Sequence, residues 1–185
     1  MLTNNNHDNG ESELLLCFDE SGNIASPQIR SAAHQKPYKI WHAVVNVWVI
    51  NDQANILCTR RAPHVSGNPR KWQTYVGGHV KSDSNFPETV TRELDEEIGL
   101  KVDKNNLKIV EKGRREDFRH VFQSYTVLFN EDLSKLNFSD GEIDEAKWIS
   151  FQEYQRLKND KPDDWCNGMN PDQYKNACTA LGLQK

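Results

Sequence analysis

Apolar residues along this chain fall into short runs divided by polar turns. The run from Trp41 to Ile50 is rich in Val and Trp and apolar on both alternating faces, and from Ala43 onward Asn46 is its one polar interruption. A strand with one wet face alternates, whereas one apolar on both sides is covered on both, so 41–50 predicts a central strand. Leu14–Phe18 predicts a shorter strand that ends at the turn Asp19-Glu20-Ser21-Gly22-Asn23. Residues 51–55 turn the chain back along 56–59 as a hairpin, and 60–71 follows as a polar loop containing Pro63, Pro69 and Gly67. Residues 72–76 lead into Gly77-Gly78, and further strands are expected at 107–111, 118–129 and 146–149.

Three stretches switch to helical spacing. Residues 86–98 place Val90, Leu94 and Ile98 four apart on one apolar stripe. Asn85 can cap this helix and Glu88 can close a capping box, while Gly99 can end it in a left-handed conformation. Ser150 and Glu153 form a second capping pair, opening a helix through Leu157. Asn170-Pro171 opens a last helix with Tyr174, Cys178 and Leu181 on one face. This order of strands and helices predicts an α/β fold with a mixed sheet between helical layers.

Composition narrows the class. A chain of 185 residues fits one domain, expected at 13–185 with a C-terminal helical extension behind a flexible polar lead at 1–12. Hydrophobic residues at 36% and charged residues at 27% suit a globular protein. A net charge of -4 without a basic run argues against a stable nucleic-acid partner. The longest apolar run is far short of the roughly 18 residues that read as a membrane span, and the start lacks an apolar signal core. Cys17, Cys58, Cys166 and Cys178 are scattered without a CxxC pair, which reads as reduced thiols in a cytoplasmic protein.

The chemistry is concentrated on the helix at 86–98. Glu93, Glu96 and Glu97 stand three and four apart, a stripe of like charges that costs roughly 0.2–0.5 kcal/mol per pair. Their place near the helix C-terminus adds about 0.3–1 kcal/mol each when exposed. Acidic faces are usually only solvated. A hard divalent cation would turn this stripe from a cost into a ligand set. Gly77-Gly78, just upstream, would let backbone carbonyls approach such an ion unobstructed.

Here the residues resemble the Nudix signature, which runs Gly, five residues, Glu, seven residues, Arg-Glu-U-x-Glu-Glu-x-Gly-U, with U a bulky aliphatic. Gly78 and Arg92-Glu93-Leu94-Asp95-Glu96-Glu97-Ile98-Gly99-Leu100 match it without insertion. Ser84, beside Asp83, stands in place of the first Glu. The resemblance implies a Nudix-type α/β/α sandwich. It implies Mg2+ or Mn2+ held by Glu93, Glu96, Glu97 and the Gly77 carbonyl, with Arg92 orienting Glu93. The implied activity is hydrolysis of a phosphoanhydride in a nucleoside diphosphate derivative or another small diphosphate. Homodimers are common among similar proteins. The water's proton would pass to Glu93 or to a carboxylate outside the signature, of which Glu142 is preferred over Asp144 and Glu145. Arg60, Arg61 and Tyr75 are the expected substrate contacts, and the alternative reading of each is ordinary surface or core packing.

A longer resemblance, over about 19–154, links the chain to the subgroup containing isopentenyl-diphosphate isomerase. Arg30, His34, Trp41-His42 and Lys71-Trp72 carry it, with Gly77-Gly78-His79-Val80. His34, His42 and His79 are similar to that enzyme's metal-binding histidines. Single histidines near strands are more often structural, and these share no clean ligand spacing. The isomerase also needs a cysteine where this chain has Gly77, and acids where it has Phe118 to His120. A third alternative is a non-catalytic Nudix module, which would be expected to lose the signature acids that are intact here.

Overall fold

The computed structural model describes Gly10 and residues 12–183, so the expected lead at 1–12 lies mostly outside the described residues. Strands β1 (Leu14–Phe18) and β2 (Ile24–Ile29) form an antiparallel pair. A single helical turn, α1 (Arg30–Ala33), leads to the central strand β3 (Trp41–Ile50). Then come β4 (Asn55–Arg61), β5 (Trp72–Gln73) and helix α2 (Phe86–Ile98). Strands β6 (Lys108–Arg115), β7 (His120–Leu128) and β8 (Ile143–Ser150) precede helices α3 (Phe151–Asp160) and α4 (Pro171–Ala180). β2 and α1 have no counterpart in the sequence expectations. The proline-bearing segment Ile24–Ile29 is mostly exposed and lacks the alternation that marks a strand; pairing with β1 holds it extended. The strand expected at 118–129 begins only at His120, because Glu116–Phe118 forms a 3-10 turn closed by Arg119 at φ 55.

β3 organises the sheet. One edge pairs in parallel with β7 over its length, from His42 opposite His120 to Ile50 opposite Leu128. The other edge meets β1 at its start and β4 at its end, and between them it meets residues 76–80. There Val45 N–H donates to the Gly78 carbonyl at 2.9 Å, and Val47 and Val76 exchange bonds of 2.8 and 3.0 Å. β8 covers the far edge of β4.

The two faces of β3 bury different layers, as its doubly apolar pattern requires. Ala43, Val45, Val47 and Val49 pack with Val90, Leu94 and Ile98 of α2. Trp48 and Ile50 face Tyr154 of α3 and Ala177 of α4. Val90, Leu94 and Ile98 are each 0% exposed, and burying such side chains contributes about 1.5–3 kcal/mol apiece. That burial fixes the rotation of α2 and therefore the direction of its acidic stripe. Asn85 accepts from Glu88 N–H at 3.1 Å as the N-cap, without the return bond of a full capping box, and Gly99 closes the helix at φ 67. The fold is a helix–sheet–helix sandwich of the α/β class.

Candidate functional site

α2 presents its acids to the turn that precedes it. The Glu97 side chain is 7% exposed as a residue, and its Oε1 accepts from the Gly77 N–H at 3.2 Å. The Glu93 carboxylate lies against Gly78, where an added Cβ would overlap its oxygen. At Gly77 a Cβ would overlap the Val45 carbonyl. Contact with the β3 backbone thus requires glycine at 77, whereas a side chain at 78 would displace the Glu93 carboxylate from the turn. Arg92 ties the stripe together, donating from Nη2 to Glu93 at 2.7 Å and from Nη1 to Glu96 at 2.7 Å. A third contact, 3.4 Å long, reaches the His79 carbonyl.

The electrostatics of this cluster are those of charge held away from water. Burial pushes the Glu93 carboxyl up to about 7 against the pull of Arg92, with Glu96 and Glu13 pushing the same way. Burial also raises Glu97 well above the ordinary range, and Glu93, Glu142 and Asp140 add repulsion. A buried carboxylate with acidic neighbours calls for a partner of high positive charge. The donors are hard oxygens on a half-open surface, the set that Mg2+ or Mn2+ takes. The residues present fit such an ion.

Outside α2, Glu142 and Asp140 come from the turn before β8. Asp140 Oδ1 accepts from the Glu142 N–H at 2.9 Å, and Glu142 Oε2 lies 3.7 Å from Arg61 Nη2. Arg61, Tyr75 and Gly77 line a common cavity of about 190 Å3. Glu142, Arg61, Tyr75, Gly77, Glu93 and Glu97 are therefore brought together, and Glu96 stands at the solvent edge of the group. Arg60 is not. It lies one residue from Arg61 on an extended strand and turns to the opposite face, where Asp144 and Glu145 hold it at 2.9 and 3.0 Å. Asp144 and Glu145 are thereby also engaged away from the acids of α2. Ser84 turns its hydroxyl to Thr89 at 3.4 Å, inside its own helix start, and Asp83 is exposed. The acid from outside the signature that does act on Glu93 is Glu13, held by Lys81 at 2.7 Å. Neither Glu13 nor Asp140 was expected, since both are remote in sequence and only the sheet brings them near.

The three histidines depart from expectation. His34 and His79 approach at 2.9 Å between their Nε2 atoms, and the ligand nitrogens of His34, His42 and His79 all lie within 4.8 Å of one another. The Ile40 carbonyl, only an acceptor, lies 3.0 Å from His42 Nδ1, so that nitrogen carries the proton. His42 Nε2 is then a bare acceptor, and it is buried without a hydrogen-bond partner. Burial lowers His42, and it lowers His79 well below its ordinary value. His120, whose ring meets His42 edge-on at 4.7 Å, is lowered to about 3. Neutral imidazoles so arranged can hold a transition metal. Spacing of 34, 42 and 79 gives no hint of this, because α1, β3 and the glycine turn must first be assembled.

The isopentenyl-diphosphate Delta-isomerase of Klebsiella pneumoniae is 31% identical over 93 residues, which is 50% of this chain and 49% of that protein. The Corynebacterium glutamicum isomerase is 28% identical over the same length. The chain thus spans about half the length of the isomerases it matches. A Nudix hydrolase of Listeria innocua is 22% identical over 118 residues, 63% of this chain and 68% of that protein. Among solved structures, the protein DR0079 of Deinococcus radiodurans superposes with a TM-score of 0.71 at 18% identity, covering 89% of this chain and 99% of its own. A bifunctional NMN adenylyltransferase/ADP ribose pyrophosphatase from Francisella tularensis, complexed with AMP and a Mn ion, gives 0.51 at 19%, covering 78% and 42%. The family model for the NUDIX domain matches residues 40–166, from the start of the central strand to beyond α3, and the chain belongs to the NUDIX family.

Proposed function

We propose that the protein is a Mg2+- or Mn2+-dependent hydrolase that cleaves a phosphoanhydride bond in a small diphosphate, of which nucleoside diphosphate derivatives are the first class to test. The observation that carries this reading is the convergence of Glu93 and Glu97, both largely buried, on the Gly77-Gly78 turn beside Arg61 and Glu142. A divalent ion held by Glu93, Glu96 and Glu97 would neutralise the phosphates and acidify a water. Arg92 keeps two of these carboxylates aimed together. Arg61, which lines the cavity, would hold a non-bridging phosphate oxygen in this reading. Glu142 is the base in this reading. It takes a proton as the water oxygen bonds to phosphorus, and the bridging P–O bond breaks to leave two phosphorylated products.

A second reading rests on one observation, the joined histidines His34, His42 and His79, which the isomerase resemblance implies as a metal site. Against it, the backbone at Gly77 leaves no room for the cysteine side chain that chemistry needs. The deciding experiment is hydrolysis of a panel of diphosphates with each metal, read as release of phosphate or of a phosphomonoester, using Glu93→Gln as control. Release that needs metal and disappears in the variant supports the hydrolase. Conversion of isopentenyl diphosphate to its allylic isomer without phosphate release overturns it in favour of the second reading.

A further inference from the structure

The loop between β4 and β5 has few holds on the rest of the molecule. Among the described residues, none of 63–70 joins an apolar cluster, and only Ala62 at the start of the loop is buried. Backbone bonds close its base, from Arg61 N–H to the Lys71 carbonyl at 2.9 Å and from Arg70 N–H to the Arg61 carbonyl at 3.0 Å. Arg61 also ties down its tip, donating from Nε to the Gly67 carbonyl at 2.6 Å. A segment with so little apolar burial opens locally at a fraction of the cost of global unfolding.

The tip that Arg61 holds is also a wall of the cavity, where Gly67 and Asn68 stand with Arg61, Tyr75 and Gly77. Arg61 therefore lies between two partners. A guanidinium is a planar fork of N–H groups in fixed directions, so one edge can stay on a carbonyl while another takes a phosphate oxygen. Here Nε serves the loop, and Nη2 points toward the acids, 3.7 Å from Glu142 Oε2. A phosphorylated ligand on the free edge of the fork meets Arg61 and residues 67–68 together only while the loop is down. Such a ligand binds the closed state better and draws the population toward it.

We infer that residues 62–70 form a flap that closes over a bound diphosphate, with Arg61 coupling the phosphate to the flap and Asn68 as a further contact on it. The inference rests on the hydrolase reading for the phosphate that Arg61 receives. Arg61 is then both a substrate contact and a positioning residue. Arg61→Lys keeps the charge but gathers it at one point, so the fork that spans both partners is lost.

The test is hydrogen exchange, read by mass spectrometry on peptides covering 62–71, with methylenediphosphonate and Mg2+ as ligand. Its P–C–P bridge resists hydrolysis, and calorimetry gives its Kd. At about 100 times Kd, exchange in this segment should slow by up to about 100-fold, since the closed state is the one that holds the ligand. Residues 171–180 of α4 should not change. Without ligand, Arg61→Lys should exchange in this segment about 10–100-fold faster, the loss of one charge-assisted bond, and the ligand should no longer slow it. Asn68→Ala, which leaves Arg61 in place, should raise the Kd about 2–10-fold. Melting temperatures establish that both variants fold. Binding that leaves 62–71 unchanged, or that slows α4 by the same factor, overturns the flap while leaving the hydrolase intact. Wild-type exchange in ligand-free Arg61→Lys does the same, and an unmoved Kd in Asn68→Ala overturns the contact assigned to it. A ligand that fails to bind even with Mg2+ sinks the phosphate reading, and the flap with it.

Discussion

Replacing Glu93 by Gln isolates what the metal is for. The Glu93 carboxyl is raised from 4.5 to about 7, chiefly by burial, and its side chain is only 12% exposed, so solvent screens it weakly. Raising the carboxyl from 4.5 to about 7 corresponds to about 3 kcal/mol at about 1.36 kcal/mol per decade of proton affinity. The sign follows from the direction. A group with a raised folded value contributes stability at low pH and loses it as pH rises from 4.5 through about 7, because the unfolded chain ionises first. Gln keeps the volume and an oxygen for Arg92 without the charge. In EDTA near pH 8 the variant should therefore melt above wild type, by up to about 6–12 °C at 2–4 °C per kcal/mol for a chain of this length. Most of that gap should close near pH 4.5, where both forms are neutral. Mn2+ at about 100 times its Kd contributes about 2.7 kcal/mol, or roughly 5–11 °C, to wild type and little to the variant. Scanning fluorimetry at two pH values, with EDTA and with Mn2+, reads all four numbers. A variant less stable than wild type in EDTA at the higher pH would refute the burial account. An equal metal-induced shift in both proteins would refute the ligand role.

Arg61→Ala should lower kcat/KM about 10–100-fold, the loss of one charge-assisted contact of about 1.5–3 kcal/mol, whereas Arg60→Ala should stay close to wild type because Asp144 and Glu145 already engage it. Steady-state kinetics on one diphosphate checks both, and an equal loss in the two variants counts against the assigned faces of β4. In chelated protein the histidine cluster should make stability fall as pH drops below about 6.5, since the unfolded chain takes up protons there while His120, lowered to about 3, and His79 stay neutral. Glu93 acts in the opposite sense over the same range, so denaturant melts from about pH 7.5 to 5 compare wild type with His120→Phe: wild type should lose stability relative to the variant as pH falls, and a constant difference contradicts it.

How far the chain could be read in advance varied by element, for physical reasons. The helix at 86–98 was legible to the residue, because apolar spacing, a capping Asn and a terminal Gly all act locally and agree. The central strand was legible because burial on both faces leaves a continuous apolar run. β2 was not, since an exposed strand leaves no pattern and exists through its partner. The acids of α2 followed from spacing and family resemblance, but the added repulsion from Glu13 and Asp140 did not. Arg60 and Arg61 looked equivalent until strand pairing sent them to opposite faces.

The sequence by itself determined the members of the acidic stripe, the helix that carries it and the two glycines it faces, because these depend on periodicity within one short segment. Tertiary structure alone decided which way that stripe points, which arginine joins it, that three histidines from separate segments meet, and that Gly67 and Asn68 wall a cavity. The physical reason is reach. Periodicity sorts residues by face within an element, whereas burial of Val90, Leu94 and Ile98 against β3 sets how that element sits among the others. A site assembled from several elements exists only once that packing is complete.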